Sequence, residues 1–527
     1  MGVGIRRSIA DIQADYDSGN KTELENLMRA WRGIQALDPA DLRSFFVLGG
    51  YHGEPFRGPG ATDPSWWGGY CQHGTVLFPT WHRVYLHALE RALQSIPGCE
   101  SVMLPFWDEC SQDSQANGIP RALTDEHFEL DGVSIDNPLR SFTLPVGIVD
   151  TVQGDNALYS KPAGYETVRY PLSGLVGTVA DQAATAAHNA KFPSYAANVK
   201  ILNANIVSWL TSTIVIAGNP MGEVYSKFVA CLNAPTYTLF SNTTSQGAWN
   251  NAHPTNPVRA LESPHNSMHL AVGGFDIPGQ GDMSPIDGAN GDMGENDTAG
   301  LDPIFFFHHS FIDYVFWTWQ RRNGATTSFT IDSSDPGAAY GANNPPPAGG
   351  EPDQPITMDT PLNPFTKPDG SVYTSNDCID IETQLGYGYG PGSLDSYAHA
   401  SEQHEALMLT RRSDDERTLH VAGVDRSKIR GSFLISAYAE VDGERRLLGH
   451  EAVLSRWHVE GCANCQTHLK ASADFRLTAD AAAQGKVEVE IRTRQGALGG
   501  GPRMLRKSTI AAAALTEAAE PFTLEIR

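Results

Sequence analysis

The sequence predicts a mainly α-helical domain at residues 1–392, a linker at 393–417 and an antiparallel, β-sandwich-like domain at 418–527. Two observations favour helices in the first part: amphipathic runs such as "TELENLMRAWRGIQAL", and the very apolar stretch "LDPIFFFHHSFIDYVFWTWQ". The third observation is a change after "RRSDDER", where alternating apolar and polar residues flank an Asp-Gly pair and predict a hairpin. We expect long loops rich in Pro, Gly and Asp in the helical part and an exposed, charged linker.

The length and charge of the chain exclude several classes of protein. A chain of 527 residues can bury a large core and make more than one domain. Its formal net charge of −23 argues against nucleic acid and against an anionic membrane surface as partners, because both attract a basic face. We find no apolar run of about 18 residues, so no membrane span is predicted. The seven cysteines do not indicate a disulfide scaffold, and the first residues lack a secretory apolar core. We therefore expect a cytoplasmic location, with export after removal of a leader as the alternative.

Three histidines lie in the first predicted helical region, in "GGYHGEP" and "YCQHGTVLFPTWHR". They are His52, His73 and His82. The last two are nine positions apart, so on one straight helix their rings would point in opposite directions. Pro79 ends the first segment, and we expect Thr80 to cap the helix that carries His82. The chain can then fold back so that the rings converge.

A second group of histidines begins in "SPHNSMHLAVGG". His265 and His269 are four positions apart, so one helix presents both rings on one face and both can bind one metal ion. A zinc protease motif would carry a glutamate directly after the first histidine, where this chain has Asn266. The general base of that mechanism is therefore missing.

A third motif, "LDPIFFFHHSFID", supplies two adjacent histidines, His308 and His309. Asp302 is a good N-cap and Pro303 a good first helical residue, which places both histidines about one and a half turns into an apolar helix. A buried imidazole there needs a partner, and a metal ion is one candidate. The spacing alone does not choose between the two.

The histidines together indicate a metal centre more strongly than any one of them does. A single buried histidine is more often a hydrogen-bonded core residue. Imidazole nitrogen suits copper, zinc, iron and nickel. Two groups of three histidines, with no adjacent carboxylate ligand or catalytic glutamate, favour copper over a hydrolytic zinc site. A structural zinc protein is the alternative.

Four motifs resemble those of the type 3 copper proteins, which include tyrosinases, catechol oxidases and mollusc-type haemocyanins. They are "FPTWHR", "LPFWDE", "SPHNSMH" and "LDPIFFFHHSFID". The resemblance covers residues 1 to about 390 and implies a helical bundle that holds two copper ions. Tyr314 departs from the family pattern, which usually has an arginine after the aspartate of the last motif. The implied copper ligands are His52, His73 and His82 for the first ion, and His265, His269 and His309 for the second.

The resemblance implies an enzyme that ortho-hydroxylates monophenols and oxidises catechols to o-quinones with dioxygen. In family tyrosinases a glutamate and an asparagine hold a water that acts as the base, and Glu262 and Asn266 match those positions. We therefore favour a tyrosinase over a catechol oxidase without monophenolase activity. A haemocyanin-like oxygen-binding protein is a further alternative. The expected partners are small-molecule phenols or catechols, and a homo-oligomer is possible. A helix N-terminus would also favour Glu262 without any catalytic role.

Cysteines near the predicted centre have implied roles of their own. In fungal and molluscan members of the family, a cysteine two residues before the second histidine forms a thioether to that ring, and Cys71 has this spacing to His73. The alternative is a free, buried thiol. Some fungal members use a Cys-x-x-Cys motif for copper delivery, which Cys462 and Cys465 match. A disulfide, a small zinc site or two core thiols are the alternatives.

Two further contacts are implied by the resemblance. Arg6 is expected to stack on a Tyr-x-Tyr motif formed by Tyr387 and Tyr389. The C-terminal β domain is expected to cover the copper pair, with Leu454 or Trp457 as the covering residue.

Overall fold

Helices and small hairpins make up the chain as far as residue 398, and strands dominate from residue 417. The structure is a computed structural model. It describes residues 2–53, 69–149, 160–174, 179–211, 213–216, 219–274, 291–340, 354–398, 417–429, 431–457, 459, 465, 468–477, 479–484, 486–493, 504–510 and 522–527.

The α-helices of these residues differ widely in length. In chain order they are α1 (Ile9–Asp17), α2 (Thr22–Gln35), α3 (Phe45–Gly53), α4 (Phe78–Gln94), α5 (Gln112–Asn117), α6 (Val179–Asn189), α7 (Tyr195–Thr211), α8 (Glu223–Cys231), α9 (Tyr237–Ser241), α10 (Thr243–Ala252), α11 (Glu262–Gly273), α12 (Ile304–Arg322), α13 (Asp395–Ala398) and α14 (Ala479–Gln484).

The strands form several two-stranded pairs and two larger sheets. They are β1 (Gly4–Arg6), β2 (His127–Leu130), β3 (Val133–Asp136), β4 (Ile148–Val149), β5 (Ser160–Lys161), β6 (Thr213–Ile216), β7 (Asn219–Gly222), β8 (Pro361–Thr366), β9 (Val372–Thr374), β10 (Tyr387–Tyr389), β11 (Arg417–Asp425), β12 (Phe433–Val441), β13 (Glu444–Val453), β14 (Lys470–Leu477), β15 (Lys486–Thr493), β16 (Met504–Ile510) and β17 (Thr523–Ile526).

Helix α12 is the centre of the helical part. Every residue from Ile304 to Gln320 is buried, as its apolar sequence requires. Helix α2 is amphipathic instead, and one face of it carries the buried Trp31. The Trp31 ring stacks on Phe307 at 5.6 Å between ring centroids and lies 5.2 Å from Phe45. These aromatic contacts hold α12 against α2 and α3.

The N-terminal strand closes the helical part by pairing with a distant segment. Strand β1 runs parallel to β10, with Arg6 opposite Tyr389. The Arg6 guanidinium lies 3.5 Å from the centroid of the Tyr387 ring, which confirms the predicted stacking. Arg6 is also buried in ion pairs with Glu90 at 2.9 Å and with Asp313 at 3.4 Å. Arg6 therefore holds this part of the fold through two buried ion pairs as well as through the cation–π contact.

Helix α4 begins earlier than the sequence analysis predicts. Its first residue is Phe78, Pro79 lies in its first turn, and the N-cap position is Leu77. Thr80 is inside the helix, where its hydroxyl donates to the Leu77 carbonyl, so the prediction that Thr80 caps the helix was wrong. The reason is that proline needs no N–H partner in the first turn and can therefore follow the helix start.

The strands after residue 417 form a three-stranded sheet in the order β14-β11-β17 and a four-stranded sheet in the order β13-β12-β15-β16. All of these pairs are antiparallel. The predicted hairpin is present as β12 and β13. Its turn residues Asp442 and Gly443 have φ of 54° and 80°, which suits a tight hairpin turn.

These two sheets have an apolar core of their own, which includes Phe433, Ile435 and Val489. Leu454 and Trp457, by contrast, belong to the same core as the helices. Of the predicted linker, 399–416 lies outside the described residues. None of the described helices combines the length and the apolar content needed to cross a bilayer.

Buried polar contacts also join the sheets to the helices. Glu451 on β13 accepts hydrogen bonds from Arg259 at 2.8 Å and from the Ser263 hydroxyl at 2.7 Å. Ser263 lies in the first turn of α11. The four-stranded sheet is therefore attached to the helix that carries His265 and His269.

Candidate metal centre

The structure brings the six predicted ligands together in the helical core. His52 lies at the end of α3 and His82 in α4, while His73 lies in the loop before α4. Helix α11 supplies His265 and His269, and α12 supplies His309. Each of the six is at most 7% exposed.

The second group has the geometry of a single metal site. The Nε2 atom of His309 lies 3.1 Å from Nε2 of His265 and 3.3 Å from Nε2 of His269. The Nδ1 atom of His269 is 2.8 Å from the Met293 carbonyl, which can only accept a hydrogen bond. The Nδ1–H of His269 therefore donates to that carbonyl, and its Nε2 keeps a lone pair for a metal. His265 uses Nδ1 in the same way, toward Asn266 Oδ1 at 3.0 Å.

The first group is also compact. The ring centroid of His73 lies 5.1 Å from that of His52 and 5.2 Å from that of His82. The Nδ1–H of His82 donates to the Phe78 carbonyl at 2.8 Å, one helical turn back. Among the described residues, Nε2 of His82 has no hydrogen-bond partner. Buried polar atoms without a partner are costly, and a metal ion would satisfy them.

The two groups adjoin each other. The His82 and His309 rings stack at 4.4 Å between centroids. Ligand atoms of His52, His82 and His309 lie within 4.8 Å of one another, although His309 belongs to the second group. The six imidazoles thus form one continuous cluster with room for two neighbouring ions.

Burial keeps these histidines neutral. It lowers the pKa of His82 to about 3 and the pKa values of the other five well below their usual range. Neutral imidazole is the ligand form, and neutral nitrogen donors suit copper. The residues present therefore fit a pair of copper ions.

His308 lies beside the second group but has a partner of its own. Its Nδ1 is 2.5 Å from Glu109 Oε1, and both residues are fully buried. Burial raises the pKa of Glu109 well above its usual range and lowers the pKa of His308 to about 3. Its ligand atoms also lie within reach of His265, His269 and His309. Distance alone does not exclude His308 as a ligand, but the Glu109 hydrogen bond gives it another role.

Glu109 lies in the motif "LPFWDE", and no function was predicted for it. Two acidic residues directly after an apolar run were the available signal, because a carboxylate is rarely buried without a partner.

Cys71 lies next to the first group. Its sulfur is within 4.8 Å of ligand atoms of both His52 and His73. It accepts hydrogen bonds from Asn296 Nδ2 at 3.6 Å and from Arg456 Nη2 at 3.7 Å. Arg456 comes from the C-terminal part of the chain, and no sequence pattern predicts this contact.

The two residues proposed for proton transfer, Glu262 and Asn266, lie four positions apart on α11. Glu262 accepts the Gly74 N–H at 2.9 Å with one oxygen, and the N–H and hydroxyl of Thr243 at 2.9 Å and 3.0 Å with the other. Burial raises the pKa of Glu262. Asn266 Oδ1 accepts a hydrogen bond from Nδ1 of His265. Glu262 therefore anchors the loop of the first group, and Asn266 orients a ring of the second.

The C-terminal cysteine pair is described only in part. Cys465 forms a disulfide, one of the alternatives left open by the sequence, and Cys462 lies outside the described residues. Close by, the His468 ring packs against Gly74, whose φ of +72° favours glycine. The C-terminal part of the chain thus reaches the loop that carries His73.

Comparison with known proteins agrees with this site. Residues 42–322 match the family model for the common central domain of tyrosinase. The chain is 52% identical to a tyrosinase of Hahella sp. over 90% of this chain and 88% of the relative. It is 41% identical to a tyrosinase of Aspergillus oryzae over 93% of each. A solved structure of a tyrosinase from Burkholderia thailandensis matches with a TM-score of 0.82 and 48% identity, over 96% of this chain and 100% of that one.

Proposed function

We propose that the protein ortho-hydroxylates monophenols and oxidises catechols to o-quinones, because the chain belongs to the tyrosinase family. Two copper ions are its cofactor, and dioxygen is the co-substrate. The observation that supports this function most strongly is that buried, neutral imidazoles lie together in two adjacent groups.

The histidines would divide between the two ions as their positions suggest. His52, His73 and His82 would hold the first copper ion, and His265, His269 and His309 the second. When bound, the copper pair supplies the redox chemistry between dioxygen and the phenol ring. The protein excludes water from the site through its aromatic surroundings, in which Phe305 stacks on His309 at 4.0 Å between centroids.

Proton removal from a monophenol is the step for which the chain would supply its own groups. A phenol has a pKa near ~10 and has to lose its proton to react at the metal. Glu262 and Asn266 would hold a water that accepts this proton. In support, both residues line one cavity, and each is fixed by a hydrogen bond next to a different group of histidines.

The chain would be organised as a catalytic domain at 1–392, a linker at 393–417 and a β domain at 418–527 that covers the copper pair. The separate apolar core of the strands and the contact of His468 with Gly74 support this arrangement. Cleavage in the linker should then raise phenol turnover. Equal rates for cleaved and intact protein would show that the β domain does not cover the site.

Oxygen uptake by the copper-loaded protein tests the reaction itself. A monophenol and its matching catechol are assayed in parallel. Uptake with both substrates supports the proposal. Uptake with the catechol alone would identify a catechol oxidase, and reversible oxygen binding without turnover would identify an oxygen carrier.

A further inference from the structure

Arg456 lies where the C-terminal part of the chain meets the first group of histidines. It follows β13 and is only 1% exposed. Its Nη1 donates to the Gly53 carbonyl at 2.5 Å, and its Nη2 donates to Cys71 Sγ at 3.7 Å. Gly53 directly follows His52, and Cys71 is two positions before His73. One side chain of the C-terminal part therefore contacts the neighbours of two predicted ligands of the first copper ion.

Arg456 is itself held by a buried ion pair. Asp297 accepts from its Nη1 at 3.3 Å with one carboxylate oxygen, and from the Trp457 N–H at 2.8 Å with the other. The side chains of Arg456 and Asp297 are 1% and 2% exposed. Water screens such a buried pair little, so the carboxylate fixes the guanidinium in one position.

Asn296 connects the same two parts of the chain through both its backbone and its side chain. Its N–H donates to the Ser455 carbonyl at 3.3 Å. Its Nδ2 donates to Cys71 Sγ at 3.6 Å, and its backbone hydrogen-bonds to the His52 ring. A side chain at Gly53 would collide with the Asn296 carbonyl. The end of α3 therefore packs directly against this residue.

The second group meets the C-terminal part in another way. The Nδ1 partners of His265 and His269 both belong to the helical part. The four-stranded sheet contacts their helix region through Glu451, which pairs with Arg259 at 2.8 Å. Arg259 precedes α11 and is six positions before His265. It joins the two parts of the chain as Arg456 does, but at the other group of histidines.

We propose that Arg456 is a positioning residue for the first copper ion. By binding the neighbours of His52 and His73 at once, it keeps the two rings in the arrangement that the metal needs. The inference rests on the proposed pair of copper ions and assigns a residue of the C-terminal part to one of them. A guanidinium suits this task because its rigid fork of N–H donors reaches acceptors in several segments. This role fits a domain that covers the copper pair, since Arg456 acts on the ligand segments and needs no contact with substrate.

The copper content of the intact chain tests this inference. Wild type, Arg456→Gln, Arg456→Lys and Arg259→Gln are loaded with copper and dialysed against a chelator. Wild type should keep both ions, whereas Arg456→Gln should bind the first ion about 10- to 100-fold more weakly, as expected when a residue that orients metal ligands is replaced. Arg456→Lys should recover part of this affinity, because it keeps a cation beside Asp297. Arg259→Gln is the matched control and should keep both ions.

Electron paramagnetic resonance identifies the ion that is lost. Two adjacent Cu²⁺ ions joined by a bridging ligand are magnetically coupled and give no signal, whereas a single Cu²⁺ ion gives one. Arg456→Gln should therefore show the signal of a single Cu²⁺ ion. Its spectrum should match that of His52→Ala, which lacks a ligand of the first site, and differ from that of His269→Ala, which lacks a ligand of the second.

Asp297→Asn is a second variant that keeps the inference testable if Arg456→Gln does not fold. Asparagine retains an acceptor for the Trp457 N–H but removes the charge that fixes the guanidinium, so the first ion should again be weakened, by a smaller factor. Undiminished copper content in both variants, loss of both ions together, or an equal loss from Arg259→Gln would overturn the inference. If wild type binds two copper ions and oxidises no phenol, the proposed function fails, and the copper content still decides the role of Arg456.

Discussion

The two groups of histidines are held in different ways. The second group comes from two long helices, and two of its members are one helical turn apart on α11. The first group combines the end of α3, a loop and α4, and the loop residue His73 depends on distant contacts. Glu262 holds the neighbouring Gly74, while Asn296 and Arg456 contact Cys71. The spacing of residues on α11 thus brings two histidines of the second group together, whereas contacts between distant segments position the loop of the first group.

The largest expected effect is at His309, which belongs to the second group and also contacts the first. His309→Ala should abolish phenol turnover and lower copper content, because it removes a ligand and the stacking partner of His82. His308→Ala is the matched control on the same helix and should keep its copper. Copper analysis after dialysis distinguishes them. Copper loss from His308→Ala alone would reverse the assignment.

Variants of Glu262 and Asn266 test the proton-transfer role next to the first and the second histidine group separately. Glu262→Gln should lower monophenol hydroxylation by at least about 100-fold, as expected for loss of a general base, and catechol oxidation much less. Asn266→Leu should show the same preference. Rates for both substrates and copper content are measured together. If the two activities fall equally while copper is lost, Glu262 acts by holding the His73 loop.

Acid should destabilise the metal-free protein. The folded pKa of His82 is about 3, whereas an ordinary histidine titrates near 6.5. Between these values the unfolded chain binds more protons, so stability falls as pH falls through this window. Each such histidine contributes about 1.4 kcal/mol per pH unit. Urea denaturation at pH 7 and pH 5 measures the difference, and His82→Gln should reduce it. An unchanged midpoint would contradict the neutral, buried state.

The smallest expected change is the thioether between Cys71 and His73, which would give the loop-built group a covalent restraint. Intact-protein mass of the active enzyme should be two hydrogens below the sequence mass, and Cys71 should resist alkylation. Cys71→Ser, which cannot form the bond, is the reference for the mass difference. An unmodified peptide that contains both residues would rule the crosslink out.

Several features of the site and of the fold could be predicted from the sequence, because they depend only on residues that are close together along the chain. The spacing of His265 and His269 determines that one helix presents both, and the Asp442-Gly443 pair determines the hairpin. The family motifs supplied the six predicted ligands, which the structure brings close together. The predicted start of α4 was wrong by three residues, since the first turn of a helix accepts proline.

The helical centre with its histidines, the strand-rich C-terminal part and the expected chemistry could all be inferred from the sequence. The contacts of Glu109 with His308 and of Arg456 with Cys71 depend on the packing of distant segments. The two kinds of feature differ in the sequence distance over which they are set. Periodicity and turn chemistry act over a few residues, whereas a buried polar group takes its partner from whichever segment packs against it. For Cys71 that partner lies 385 positions along the chain.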